Sequence, residues 1–356
     1  MYGDGYIPAN QGDERCYIKR FAVTGRACSP ITINNMRKRK HALYAIVITL
    51  FVLVLTIGSG SMYMLSYSLS PDPNRNDTDS AYNVLYGHMP DMRAWTDSVR
   101  ESGALRDTFV VMPSGERHHA LYLRADSASG HTAVIVHGYK DCAVKFLHLG
   151  RMYHRDLGYN IIMPDLHAHG LSEGDDIQMG WKDRNDVRHW IEIASEMFSA
   201  EGSKADIVVH GVSMGAATTM CLSGDSLPEN VRCFIEDCGY TSVWDEFSLQ
   251  LKEQFSLPSF PLMQTTSLLC KILHGWSFSE ASPLRQVARC RLPMLFIHGD
   301  ADTFVPFSMM RPLYDAKPQP KEKLIAHGSE HAKAYNDHME EYTSAVRLFL
   351  DKYNKP

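Results

Sequence analysis

Among eight cysteines (Cys16, Cys28, Cys142, Cys221, Cys233, Cys238, Cys270 and Cys290) there is no CxxC pair and no zinc-type spacing. Nothing in that pattern points to a cysteine-held metal, and most of these thiols read as buried small apolar residues. One disulfide among the last six stays open if that part of the chain is exported. Internal repeats and low-complexity tracts are also missing. The net charge of −5 comes from acidic and basic residues mixed along the chain, with no basic stripe of the kind that tracks nucleic acid. Charge is absent altogether from Ala42 through Pro71.

That uncharged stretch is the first positive feature. Its most apolar part, Ala42 to Ile57, continues through Gly58-Ser59-Gly60-Ser61 into Met62-Tyr63-Met64-Leu65. At about 1.5 Å per residue, roughly 20 such residues cross a hydrocarbon core. Arg37-Lys38-Arg39-Lys40 stands directly before it, and Arg75 is the one basic residue soon after, among Asp72, Asp77 and Asp79. The positive-inside rule then keeps the N-terminus in the cytoplasm and exports the chain beyond residue 65. A buried core helix competes weakly with this reading, because the basic cluster and all-round apolarity suit lipid. A cleaved signal peptide competes better, since Gly58-Ser59-Gly60-Ser61 supplies small residues, but a leader of about 40 residues is long for that role. The expectation is an uncleaved signal anchor over 42–65, a basic cytoplasmic tail over 1–41, a turn-rich linker over 66–79 and a soluble domain over 80–356.

The length of 356 residues and a 44% hydrophobic content suit one large domain with a sizeable core. Thr108–Met112 and Ala120–Arg124 read as a hairpin around Pro113-Ser114-Gly115-Glu116, with His118-His119 at an exposed strand end. Thr132–Val136 is continuously apolar, as a strand buried on both faces must be. A helix over Val144–Leu157, a strand over Asn160–Met163 and an amphipathic helix over Trp181–Ala200 come after it. Next are the strand Ala205–Val209, a helix after Ser213 and the strand Val231–Ile235. Residues 243–282, rich in aromatics such as Trp244, Phe247, Phe255, Phe260, Trp276 and Phe278, break the rhythm and read as an inserted helical lid. Alternation resumes with Met294–Ile297, Phe307–Tyr314, Lys323–Ile325 and a last helix over Met339–Tyr353. Right-handed crossovers turn this series into a mostly parallel sheet with helices on both faces.

Chemistry gathers at His210-Gly211-Val212-Ser213-Met214-Gly215. A G-x-S-x-G between a strand and a helix is the nucleophile elbow, in which glycines permit a turn tight enough to expose the serine hydroxyl. Ser213 is the expected nucleophile. The acid is expected in the loop after a later strand, where His298-Gly299-Asp300-Ala301-Asp302 offers two; Asp302 is preferred, with Asp300 shaping the turn. The base is expected one strand further on, where His331 is preferred to His327. A neutral imidazole takes the serine proton and a carboxylate fixes its tautomer. The backbone N–H groups of Met214 and Tyr139 are the expected oxyanion donors, with Gly138 permitting the bend and the Tyr139 ring and Lys140 near the pocket.

In order along the chain, His137-Gly138, Asp165-Leu166-His167-Ala168-His169-Gly170, the elbow, His298-Gly299-Asp300-Ala301-Asp302 with Val305-Pro306, and His331 resemble the α/β-hydrolase superfamily over about residues 100–352. The chain looks most similar to its bacterial single-pass, membrane-anchored members of lysophospholipase or serine aminopeptidase type. The resemblance implies the α/β-hydrolase fold, an acyl-transfer triad of Ser213, Asp302 and His331, and an oxyanion hole at Tyr139 and Met214. One departure is His167, where that loop commonly carries arginine in D-x-R-G-H-G. His167-x-His169 lacks an accompanying carboxylate or cysteine set, so no metal is expected there, and the chemistry requires no organic cofactor.

The expected function is hydrolysis of an ester or related acyl bond in a small-molecule or lipid-like substrate, with the membrane as partner through the N-terminal helix and no nucleic acid. Amide or peptide cleavage by the same three residues is the alternative, and a non-catalytic scaffold a second.

Overall fold

The long uncharged stretch forms one helix, Pro30–Leu69, which is long and apolar enough to cross a membrane. The structure, a computed structural model, describes residues 30–127, 129–199 and 202–354. Residues 1–29 of the expected tail, with Cys16 and Cys28, lie outside them. Two compact units divide the chain, Met1–Leu55 and Thr56–Pro356. In the first, the described side chains from Asn34 onward are exposed. In the second, burial begins along one stripe of the same helix: Ser61, Leu65 and Leu69 are buried at i, i+4 spacing, the repeat that keeps residues on one helical face. The stretch expected as a linker from residue 66 therefore begins as packed helix. Its end is pinned by the Ile177 N–H, which donates to the Leu69 carbonyl at 2.8 Å.

Eight strands build the second unit's sheet: β1 Arg106–Val111, β2 Arg117–Leu123, β3 His131–Val136, β4 Asn160–Pro164, β5 Asp206–Val212, β6 Val231–Asp237, β7 Met294–Gly299 and β8 Lys321–Ala326. Their order is β1-β2-β4-β3-β5-β6-β7-β8. β2 runs antiparallel to β1 and β4, and the remaining pairings are parallel. Side chains alternate across a strand, so each central strand feeds two cores. Val134 and Val136 of β3 join one apolar cluster with Val209, Phe234 and Trp190. Ala133 and Ile135 join the other with Val208, Ile235 and Phe349.

Two helices precede β1 that periodicity does not reveal, Thr78–His88 and Met92–Glu101. The first is capped by Asp77, whose carboxylate accepts the Ser80 N–H at 2.9 Å, and their Leu85 and Met92 are buried in the second cluster. The expected lid consists of Val243–Phe255, capped by Ser242, and Leu262–His274. Where one helix is expected over Val144–Leu157, the chain forms a 3₁₀ turn, a short α-helix and a π-turn in succession over Ala143–Asp156.

His118 and His119 correct an expectation. Both are buried, at 0% and 2% exposure, because β2 lies between β1 and β4 instead of at the sheet edge. Their side chains point to opposite faces. The six described cysteines are all buried free thiols, so no disulfide joins the last six.

Candidate active site

The elbow depends on missing side chains. Ser213 has φ 58° and ψ −119°, a conformation with positive φ that costs a non-glycine residue roughly 1–3 kcal/mol and persists only when its surroundings enforce it. A Cβ on Gly211 would run into the Gly215 carbonyl, and one on Gly215 into the Val136 carbonyl. The turn from β5 into helix Met214–Ser223 thus closes directly against the end of β3.

The hydroxyl stands where β7 and β8 deliver their loops. His331 Nε2 lies 2.8 Å from Ser213 Oγ, and His331 Nδ1 lies 2.7 Å from Asp302 Oδ2. With Nδ1–H donating to the carboxylate, Nε2 is left to accept the serine proton. Asp302 Oδ1 accepts the N–H groups of Phe304 and Val305 at 2.9 and 3.0 Å, and His298 Nε2 stands 3.4 Å from Oδ2. Burial works to raise the Asp302 carboxyl, but the contacts with His298 and His331 outweigh it and hold the group below the ordinary carboxylate range. A second pair, Asp300 and His327, meets at 2.8 Å between the same loops. His327 is 80% exposed, and Asp300 also accepts the Gly328 N–H at 2.6 Å. That pair clips two loops together on the surface, and Ser213 hydrogen-bonds His331.

Gly138 lies so near the elbow that a Cβ on it would sit 3.4 Å from Ser213 Cβ. Tyr139 and Met214 line the same cavity as Ser213. The loop carrying Tyr139 is braced by two buried imidazoles. His137 Nε2 accepts the Leu166 N–H at 2.9 Å, so its proton sits on Nδ1 and is donated to the Gly138 carbonyl at 2.8 Å. His169 likewise accepts the Lys140 N–H at 3.1 Å and donates to the His167 carbonyl at 2.8 Å. Burial depresses both, His169 to about 3, and keeps them neutral. His169 thus has no free nitrogen to share with His167.

The cavity above Ser213 has a volume of ≈ 990 Å³ including its open mouth. Most of its wall is apolar: Phe247, Leu251 and Phe255 from one lid helix, Leu262 and Met263 from the other, and Phe278 and Val305. Gln250 Nε2 donates to the Phe304 carbonyl at 2.9 Å, tying the lid to the loop that holds Asp302. Three wall residues lie outside the sequence-based expectation: Met64, Tyr67 and Ser68, from the end of the apolar helix. The Tyr139 hydroxyl donates to the Ser68 carbonyl at 2.8 Å, and the Tyr67 hydroxyl to Gln254 at 3.0 Å. Glu246 also escapes sequence reasoning. It is buried at the cavity wall with Oε2 unpartnered, and burial raises its carboxyl from the ordinary 4.5 to about 8.

Comparison with solved structures identifies this architecture. The esterase Pf2001 of Pyrococcus furiosus superposes with a TM-score of 0.56 over 72% of this chain and 94% of its own, at 19% identity. The alpha/beta hydrolase GrgF of Penicillium sp. sh18 gives 0.53 over 70% and 98%, at 14% identity. The chain has the α/β-hydrolase fold. A puromycin-hydrolyzing peptidase of Mycobacterium tuberculosis shares this fold over 70% of the chain and 39% of its own length, with a TM-score of 0.55 and 18% identity. By sequence, the chain is 29% identical to the uncharacterized protein YqkD of Bacillus subtilis (strain 168), over 70% of this chain and 81% of that protein. It is 24% identical to the uncharacterized protein YfhR of Escherichia coli (strain K12), over 50% and 55%. No family model matches the chain. In the hydrolase fold the strand ends after β5, β7 and β8 face one edge of the sheet, and Ser213, Asp302 and His331 converge there.

Proposed function

We propose that the chain is a membrane-anchored serine hydrolase that cleaves an ester or related acyl bond of a small-molecule or lipid-like substrate. The observation that carries this reading is the continuous hydroxyl–imidazole–carboxylate chain, 2.8 and 2.7 Å between heavy atoms, at the wall of an apolar cavity. Ser213 Oγ attacks the acyl carbon as His331 Nε2 takes its proton, and negative charge on the carbonyl oxygen is met by the N–H groups of Tyr139 and Met214. Collapse expels the alcohol, which receives the proton from His331. Water, deprotonated by the same imidazole, then releases the acid from Ser213. Asp302 holds the imidazole in the productive tautomer and stabilises the imidazolium.

Two features support a lipid-like acyl group. The cavity wall is mainly hydrocarbon, and part of it is the last turns of the helix that we read as the anchor. Residues 42–60, about 28 Å of helix, remain to span the bilayer before packing begins at Ser61. In this reading the N-terminus is cytoplasmic and the hydrolase unit exported. Amide or peptide cleavage is the second reading, favoured by Glu246, a buried carboxyl in the cavity wall able to face a substrate ammonium.

A fluorophosphonate probe tests the first step: labelling should depend on Ser213, and a folded protein that resists the probe refutes the enzyme reading. Acyl esters of p-nitrophenol should turn over faster than aminoacyl p-nitroanilides, and the reverse ranking selects the peptidase. Protease added outside spheroplasts should remove the hydrolase unit; protection there overturns export.

A further inference from the structure

His118 is fully buried, and neither ring nitrogen makes a hydrogen bond. Its neighbour in sequence shows how unusual this is: His119 is held between Asp165 and Asp107 at 2.7 and 2.9 Å. A buried imidazole without partners forfeits on the order of 1–3 kcal/mol per unsatisfied group unless something else occupies it. His118 faces His167, ring centroids 5.6 Å apart, and Glu116 stands with them. Glu116 Oε2 is 3.1 Å from His167 Nδ1 and 3.9 Å from His118 Nε2, and one ligand-type atom from each of the three residues lies within 4.8 Å of the others.

We infer that Glu116, His118 and His167 bind a divalent transition-metal ion of the zinc class, at a site separate from Ser213. Ligand atoms about 2.1 Å from a tetrahedral metal stand roughly 3.4 Å apart, so small side-chain rotations close the observed spacings onto one ion. Carboxylates also stand near the nitrogens facing away from Glu116. His118 Nδ1 is 3.8 Å from Asp186 and His167 Nε2 3.9 Å from Asp176, outside hydrogen-bond distance but on the side where a metal-bound histidine donates its second N–H to an outer carboxylate. Glu116, His167, Asp175, Asp176 and Asp186 line one surface cavity with Lys182, so carboxyl groups outnumber ammonium groups in its wall. His167 stands where the superfamily's loop commonly carries arginine: a fixed cation there is replaced by a ligand for a mobile one. The ion would fasten the β1–β2 turn and β2 to the loop that supplies His169, which braces Lys140 beside Tyr139.

The test uses the full chain in detergent, without a polyhistidine tag, stripped with EDTA and dialysed. Zn²⁺ titration by calorimetry should give one site per chain and raise the unfolding midpoint, and Co²⁺ should develop a tetrahedral visible spectrum. His118→Ala and Glu116→Gln should lose both signals, and Ser213→Ala should keep them. His167→Arg restores the fixed cation, so it should fold and hydrolyse esters while binding no metal; it remains informative if His118→Ala does not fold. Absence of saturable Zn²⁺ binding by the wild-type chain, or equal binding by His167→Arg, overturns the proposal and leaves Glu116–His167 as a polar contact without a metal.

Discussion

Two of the imidazole–carboxylate clusters on this sheet, those of His331 and His118, differ in how completely the imidazoles are satisfied. His331 has Asp302 on one nitrogen and Ser213 on the other, at 2.7 and 2.8 Å. His118 has carboxylates at 3.8 and 3.9 Å and no hydrogen bond. The Cys238 thiol stands within ligand-type spacing of Asp302 and His331, yet burial raises it well above its usual range and keeps it protonated. A fully partnered ring suits movement of a proton along a defined line. An unpartnered one among carboxylates suits a cation. On the two proposals above, the same residue types serve proton transfer in one place and coordination in the other, and the partner distances separate the two.

The largest effect expected from breaking the first cluster is that of Ser213→Ala, which should lower esterase kcat by roughly 10⁶-fold with the far-ultraviolet circular dichroism unchanged. Asp302→Asn should cost about 10⁴-fold, because the amide favours the wrong His331 tautomer. Asp300→Asn should leave kcat near wild type, since its partner His327 is 80% exposed and makes no contact with Ser213. Comparable losses for the two asparagine variants would reassign the acid.

The second cluster responds in metal affinity instead of rate. Asp186→Asn should weaken Zn²⁺ binding by about 10–100-fold, the usual cost of losing an outer carboxylate, with ester turnover little changed. Isothermal titration of the two proteins side by side measures it. An equal loss of turnover would mean that the two regions are coupled more tightly than the His169–Lys140 link implies.

This contrast also marks how much a sequence can reveal. The elbow is legible because strand, glycines, serine and helix are contiguous, and the last helix is legible because Met339–Tyr353 carries its own apolar period. Ser213, Asp302 and His331 stand out by their places after β5, β7 and β8, and the structure brings these three side chains together. The buried state of His118 is hidden, because burial of a strand residue depends on its neighbours in the sheet, and β4, which covers β2, lies some forty residues on. Glu116 and His167 are fifty-one positions apart in the sequence, so no local spacing announces them. The end of the apolar helix reads as linker for a related reason. Its composition fits lipid throughout, and only the tertiary partners of Ser61, Leu65 and Leu69 separate packed residues from spanning ones.

The smallest expected effect sharpens the comparison from inside the cavity above Ser213, where Glu246 is a carboxyl with one unpartnered oxygen. Its folded value of about 8 against an ordinary 4.5 means that the folded protein keeps a proton the unfolded chain has already lost. Its contribution to stability therefore falls as pH climbs from about 4.5 through about 8. Above that, an anion sits in an apolar wall near Asp302. For uncharged acyl esters, kcat/KM should decline several-fold through pH 8, mainly by a rise in KM. Glu246→Gln, similar in size and always neutral, should remove that alkaline decline and raise the unfolding midpoint at pH 9 relative to wild type. Aminoacyl anilides should respond oppositely, gaining affinity as Glu246 ionises and losing that gain in the glutamine variant. A pH profile identical in the two proteins would show that Glu246 is already paired in solution and plays no part in choosing the substrate.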